Sequence, residues 1–426
     1  MATGDPHARG IVASASLGLV SMLVLSGCSG VGGSGGSASA ALDCGANAGK
    51  PATGEPIPLG ALALEAPGLD FSSALEGVQA YFDCVNDNGG IDERPIEYRT
   101  YTDGFDPAQS AALATQLVEN DDVIGMAGGA SAMDCLANND HYALKGIYVI
   151  GMALPDQCFS VSNFSPINSA PATTVPAAQM LVDAGVDKIV VVSSESAGID
   201  QSLAILQQYA DSVGVDMAAI TEVVPVTDAN GLAVRAVQEA GENGGVLMNM
   251  AESSLPVFQA AAAQALIDQV AWACTSACVS DSFAQSLGVA WEGRLQSADE
   301  FNLTGSDDPD VVNLRAVMGE YAPDTQIWAA SISGFLSAQI AVSTLLGLPG
   351  DQITRESFNT ALHETSGFAS GLLCTPWGYG TGRYHMGNNA VRGVTPQAGS
   401  WIESAGCFDI AAVPLNHLDE IRNALS

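Results

Sequence analysis

From residue 57 onward, short apolar runs alternate with segments whose apolar residues recur every three or four positions. That alternation is the pattern of a parallel β-sheet covered by helices. Residues 57–64 read as a strand. A helix follows over 72–88, with Leu75, Val78, Phe82 and Val85 on one face. Asn88-Gly89-Gly90 ends it with residues that accept left-handed geometry. A strand at 96–101 and a helix at 107–120, opened by Pro107, come next. Strands at 123–127 and 147–152 then bracket a helix at 132–144. Residues 153–171 read as a loop that breaks the rhythm. The pattern restarts with helices at 172–184, 199–213, 232–240 and 255–266, and strands at 188–193, 217–224, 245–250 and 269–273. Helices at 311–321 and 328–346 are expected to return to the first series. The Gly-rich stretch 374–408 reads as short strands and turns. Two βα series predict an α/β protein of two lobes, since single cores stop growing near roughly 250–300 residues.

The first residues stand apart from this fold. Arg9 gives a thin basic start, and residues 11–25 form an uncharged apolar run too short to span a bilayer comfortably. Leu25-Ser26-Gly27-Cys28 then places small residues before a cysteine. Residues 1–27 are therefore expected to be a lipoprotein signal peptide, with Cys28 as the lipidation site. An ordinary signal peptide with a chance cysteine is the alternative. Residues 28–55 read as a lipidated tether, because 31–41 is almost wholly Gly, Ser and Ala. No other stretch reads as long and apolar enough to cross a membrane. The richest, 340–348, is interrupted by Ser343, Thr344 and Gly347.

Of nine cysteines, Cys28 is assigned to lipid, and the other eight suit disulfides in an exported chain. Closeness in the chain and in the expected fold pairs Cys274 with Cys278, Cys374 with Cys407, and Cys135 with Cys158, leaving Cys44 with Cys84. Five histidines, none near Cys274, argue against a metal site, and no cofactor is expected. Thirteen Lys and Arg against 47 Asp and Glu give a net charge of −34. With lysine only at Lys50, Lys145 and Lys188, nucleic acid is disfavoured as a partner. The scattered acid reads as a solvated surface.

Glu76-Gly77, Cys84-Val85-Asn86-Asp87-Asn88-Gly89-Gly90-Ile91, Arg94-Pro95-Ile96, Asp103, Asp106-Pro107 and Val123-Ile124-Gly125 occur in that order. They resemble the opening lobe of type I periplasmic solute-binding proteins of the Leu/Ile/Val-binding class, which serve ABC transporters. The resemblance covers roughly residues 56–410. It implies two Rossmann-like lobes joined by three crossovers, with ligand held in the cleft. On that frame, lobe 1 spans 56–168 and 294–375, lobe 2 spans 169–293 and 376–410, and 411–426 is a tail.

Ligands in parallel α/β lobes bind beyond the carboxyl ends of strands, where helix N-termini expose N–H groups. Gly129, Ala130 and Ser131 follow the strand at 123–127, and Ser131 with Asp134 makes an S-x-x-D capping pattern. The glycines there read as openings for a ligand to approach the backbone. A plain helix cap is the other reading. Ala153 and Leu154 follow the next strand. Lobe 2 offers Glu195, Ala197, Glu252, Thr275 and Ser276. Amino-acid-binding relatives hold the ammonium with a second-lobe carboxylate, expected at Thr275–Ser276, where none stands; Glu195 and Glu252 are the acids available. Either acid also reads as a surface residue.

No G-x-S-x-G, HExxH or G-x-x-x-x-G-K is present, so the chain does not read as an enzyme. The expected function is an extracytoplasmic solute-binding lipoprotein on the outer face of the cell membrane. It would be a monomer delivering a small polar solute (an amino acid, amide or small carboxylate) to ABC permease subunits. A ligand-sensing receptor domain signalling through a partner is the alternative. Replacing Cys28 with Ala should release the protein from membranes into the medium; a variant that stays in the membrane fraction would end the lipoprotein reading.

Overall fold

The computed structural model describes residues 42–45, 47–153, 158, 163–196, 199–380, 387–388 and 390–410. Residues 1–27, read as a signal peptide, Cys28, Leu154, Ala197 and residues 411–426 lie outside them. The order is β1 Ile57–Ala63, β2 Glu65–Ala66, β3 Leu69–Asp70, α1 Ser73–Asp87, β4 Ile96–Thr102, α2 Pro107–Thr115, β5 Gly125–Gly129, α3 Asp134–Lys145, β6 Val149–Ala153 and β7 Phe164–Ser169. Next come α4 Ala170–Asp183, β8 Lys188–Ser194, α5 Ile199–Val213, β9 Asp216–Glu222, α6 Ala229–Ala240, β10 Gly244–Asn249, α7 Leu255–Ala263, β11 Ala271–Cys274, α8 Asp281–Leu287 and β12 Leu295–Asp299. The chain closes with α9 Pro309–Tyr321, α10 Ala329–Leu346, α11 Arg355–His363, β13 Ala390–Gln397 and β14 Ser400–Asp409.

Two sheets form the two lobes. The first is parallel throughout, in the order β4-β1-β5-β6-β7. The second runs β14-β13-β12-β11-β10-β8-β9, with β8 to β12 parallel and β13 antiparallel to both β12 and β14. Central strands such as β1 and β8 are apolar on both sides because helices cover both faces. In β1, Ile57, Leu59, Ala61 and Ala63 enter one core and Leu62 the opposite one. In β8, Val190 and Val192 face one core while Ile189 and Val191 face the other. The period of two thus sorts a continuous apolar run onto two helical layers.

Three crossovers join the lobes. β7 leads into α4, whose Val175, Ala178 and Leu181 pack in a second-lobe core. The chain leaves β12 through Phe301, which bridges to Leu373 in lobe 1. It then returns through Cys374 toward β13. The sequence reading places the return to lobe 1 at residue 294, but β12 pairs with β11 in the second sheet, so the return falls after Asp299. The reading also takes 153–171 as loop, whereas β7 lies within it. Its short strands in the C-terminal stretch are in fact an eight-residue and a ten-residue strand.

Helix α10 corrects another expectation. Its 18 residues are long and apolar enough to cross a membrane, yet 15 of them are buried within the protein. It is the core helix of lobe 1. Its contact with α1 is backbone to backbone. A Cβ on Gly334 would stand 1.9 Å from the Ala74 carbonyl oxygen, and one on Gly77 would stand 2.2 Å from that of Ser331. One turn away, Tyr81 and Phe335 meet edge to face at 4.9 Å. All four expected disulfides are present: Cys44–Cys84, Cys135–Cys158, Cys274–Cys278 and Cys374–Cys407. The last ties the third crossover to β14.

Gly334→Ala should cost about 1–3 kcal/mol of stability through overpacking, although alanine favours helix. Gly319→Ala in α9, where an added Cβ meets nothing within 4 Å, should instead gain about 0.4–1 kcal/mol. Thermal unfolding of the two variants checks the contrast, and equal effects would contradict the packing account.

Candidate functional site

In both sheets the strand order reverses beside the first strand of the lobe. β4 lies on one side of β1 and β5 on the other, and β9 and β10 flank β8 likewise. Such switch points open a crevice beyond the carboxyl ends of the strands. Gly129, Ala130 and Ser131 stand at the first-lobe crevice, and Ala153 ends the adjacent β6.

The local contacts explain these residues by packing and capping. Gly128 has φ +80°, and a Cβ on it would strike Val78 at 2.0 Å. Gly129 and Gly151 meet backbone to backbone, since a Cβ on Gly151 would stand 2.2 Å from the Gly129 oxygen. Gly128 and Gly151 therefore serve the approach of α1 and β6. Ala130 donates its N–H to Leu62 and accepts from Leu64, at 2.8 and 3.0 Å. Ser131 is buried. Its Oγ accepts from the N–H groups of Met133 and Asp134 at 3.0 Å each and donates to Asp103. The capping expectation holds for Ser131, but Asp134 does not reciprocate. Its Oδ1 accepts from Tyr142 Oη at 2.7 Å and Asn138 Nδ2 at 2.8 Å, and its Oδ2 has no partner. Burial pushes the Asp134 carboxyl up to about 6, against the lowering effect of the Asn138 and Tyr142 hydrogen bonds.

On lobe 2, Glu195 and Glu252 are both exposed, at the ends of β8 and β10. Thr275 and Ser276 are buried at the end of β11, inside the small loop closed by Cys274–Cys278. Thr275 Oγ1 has no hydrogen-bond partner among the described residues. The acid absent from this segment arrives from the next strand end, where Ser276 Oγ donates to Glu300 Oε1 at 3.5 Å. Glu300 is 1% exposed. It escaped the sequence reading because β12, with Gln296, Ser297 and Asp299, lacks an apolar pattern. The signal available was two successive acids at the end of the segment.

Beside it, burial pushes Asp299 up to about 7, opposed by the Phe301 N–H and by Arg392. Arg392, directly across from Asp299 on β13, donates to Asn302 at 2.9 Å and pairs with Glu403 at 3.3 Å. Among the described residues, no group of three or more His, Cys, Asp or Glu is arranged to hold a metal ion.

The sequence profile of the periplasmic binding proteins matches residues 66–399. The chain belongs to that family. Solved structures share the fold at low identity. A fatty acid ABC transporter substrate-binding protein from Thermomonospora curvata is 18% identical over 84% of this chain and 94% of its own, with a TM-score of 0.72. A branched-chain amino acid ABC transporter protein from Thermus thermophilus with bound valine is 15% identical, covering 86% and 99%, with a TM-score of 0.73. A solute-binding protein from R. palustris in complex with 4-hydroxybenzoate is 17% identical over 84% and 98%, with a TM-score of 0.68. No curated protein matches the sequence. In this periplasmic binding protein, as in the type I fold generally, two lobes and three crossovers define the cleft.

Asp134 generates a pH prediction. Its folded-state carboxyl titrates near 6 and its unfolded one near 3.8, so the folded state holds the extra proton between those values. Its contribution to stability therefore falls as pH rises through that window, by at most about 3 kcal/mol. Asp134→Asn cannot ionise, so its stability relative to the parent should rise from pH 4 to pH 7. A pH-independent difference in thermal midpoint would contradict this.

Proposed function

We propose that this periplasmic binding protein captures a small polar solute between its lobes and delivers it to the permease of an ABC importer. In this reading it is anchored outside the membrane through lipid on Cys28. The observation that carries the capture step is the strand-end group of Thr275, Ser276 and Glu300. A buried hydroxyl without a partner costs about 1–3 kcal/mol, and a bound polar solute would offset that cost. Glu300 suits an ammonium or amide N–H, as does the carboxylate that amino-acid-binding relatives place on the second lobe. Ser131 acts here through the turn it caps, which positions the backbone of lobe 1, and its own hydroxyl is already occupied. Fatty acid, valine and 4-hydroxybenzoate, named for the related structures, share a carboxylate and frame the range of solutes to try.

A thermal-shift screen should include amino acids, short amides, urea, benzoates and fatty acids. A solute at about 100 times its Kd should add about 2.7 kcal/mol of stability. Small-angle scattering should then report a smaller radius of gyration, because solute contacting both lobes favours closure. Thr275→Ala should weaken the active solute, and Glu300→Gln should weaken it further where it carries an amine. A solute whose affinity ignores both substitutions and leaves the compactness unchanged would place the site elsewhere.

A further inference from the structure

The loop between β1 and α1 carries a small hairpin, β2 and β3, turned at Pro67-Gly68 with Gly68 at φ +81°. A positive φ at the second central position of a Pro-Gly turn is the type II geometry. The hairpin does not stand free of lobe 1. Ala66, Leu69 and Phe71 pack with Leu64, Ala132, Met133 and Phe105, so its inner side covers the residues just after Ser131. Phe71 N–H donates to the Leu64 carbonyl at 2.9 Å, closing the hairpin base. The Phe71 ring stacks on Trp328 at 5.7 Å, and Trp328 Nε1 donates to Ser73 at 2.7 Å. The base is thereby pinned to the start of α10, and the hairpin must move with its lobe.

Its tip reaches the other lobe. A Cβ on Gly68 would lie 3.5 Å from Pro225 Cδ and from the Val224 carbonyl carbon, so the bare glycine stands opposite them with room for one more side-chain atom. Val224 and Pro225 follow β9, the edge strand of the second sheet. The crossovers leave lobe 1 beside β7 and enter lobe 2 beside β12 and β13. β1 and β9 lie toward the opposite sides of their sheets. The contact therefore spans the cleft on the side away from the hinge, where a solute enters.

We propose that the β2–β3 hairpin is the latch of the cleft: rigid on lobe 1, facing Val224 and Pro225 of lobe 2, and closing the mouth when the lobes come together. Its purpose rests on the solute-binding reading above, but the contact does not. Gly68 and Pro225 are both exposed, so the contact is small and can release without unfolding either lobe.

The test needs no solute. Gly68→Cys with Val224→Cys should form a fifth disulfide in the full-length protein, since a Cβ on Gly68 would stand 3.5 Å from the Val224 backbone and closure brings the lobes nearer. Thiol counting reads its formation. Hydrogen exchange at the amides of 128–134 and 274–278, inside the cleft, should slow relative to either single-cysteine variant. Pro225→Gly removes the ring that faces Gly68 and should speed exchange at the same amides relative to amides elsewhere in the two sheets. Failure of the pair to cross-link while the four native disulfides form would overturn the latch. So would cross-linking that leaves the cleft amides unslowed, or a Pro225→Gly variant that exchanges as the parent does. In each of those cases solute binding by the screen above can still succeed, so the two readings fail separately.

Discussion

Lobe 1 is assembled from two stretches of chain separated by most of lobe 2, and it closes only because α10 can lie directly on α1. Gly334 and Gly77 allow that approach, with carbonyl oxygens of the facing helix where side chains would otherwise be. Close packing of this kind transmits displacement poorly tolerated by either partner. The N-terminal end of α10 then fixes Trp328, Trp328 fixes Phe71, and Phe71 fixes the base of the hairpin over the cleft. A contact deep in one core thus positions a hairpin at the rim of the lobe. The second and third crossovers join the same core through Phe301 and Leu373.

The polar groups at the strand ends divide into two kinds. On lobe 1, Ser131 donates to Asp103, and Asn138 and Tyr142 both donate to a buried Asp134 whose carboxyl titrates near 6. Such a network rigidifies the turn it supports. On lobe 2, Thr275 retains an unpartnered hydroxyl beside Ser276 and Glu300, while Asp299 is pushed up to about 7 at the crossover itself. On lobe 1 the Ser131 hydroxyl is fully engaged, whereas on lobe 2 the Thr275 hydroxyl is left over. The Cys274–Cys278 bridge holds the loop that carries that capacity.

Much of this was legible in the residues. Strands such as β8 and helices such as α5 follow from local pattern, because a continuous Val-Ile run and a three-four spacing each have one favourable environment in a two-sided α/β layer. The eight cysteines pair as closeness suggested. Ser131 caps a helix as its S-x-x-D context implied. β7 and β12 were missed because neither carries the apolar run of a central strand; pairing with neighbours made them strands. Glu300 was missed with β12, since its relation to Ser276 spans 24 positions and exists only once β11 and β12 lie side by side.

The division has a physical cause. Periodicity, turn residues and cysteine count act over a few neighbours, so the sequence by itself determined the α/β class, the two-lobed plan, most elements and the disulfide set. Packing decided the rest. It made α10 a core helix, although its composition would equally suit a membrane. It set the glycines of the β5 turn against α1 and β6, moved the lobe boundary past Asp299, and brought Glu300 to Ser276 and Gly68 opposite Pro225. Each of those outcomes depends on which distant surfaces meet. Burial and pairing between such surfaces have no counterpart in local sequence, because the free energy that selects them arises only when the surfaces are in contact.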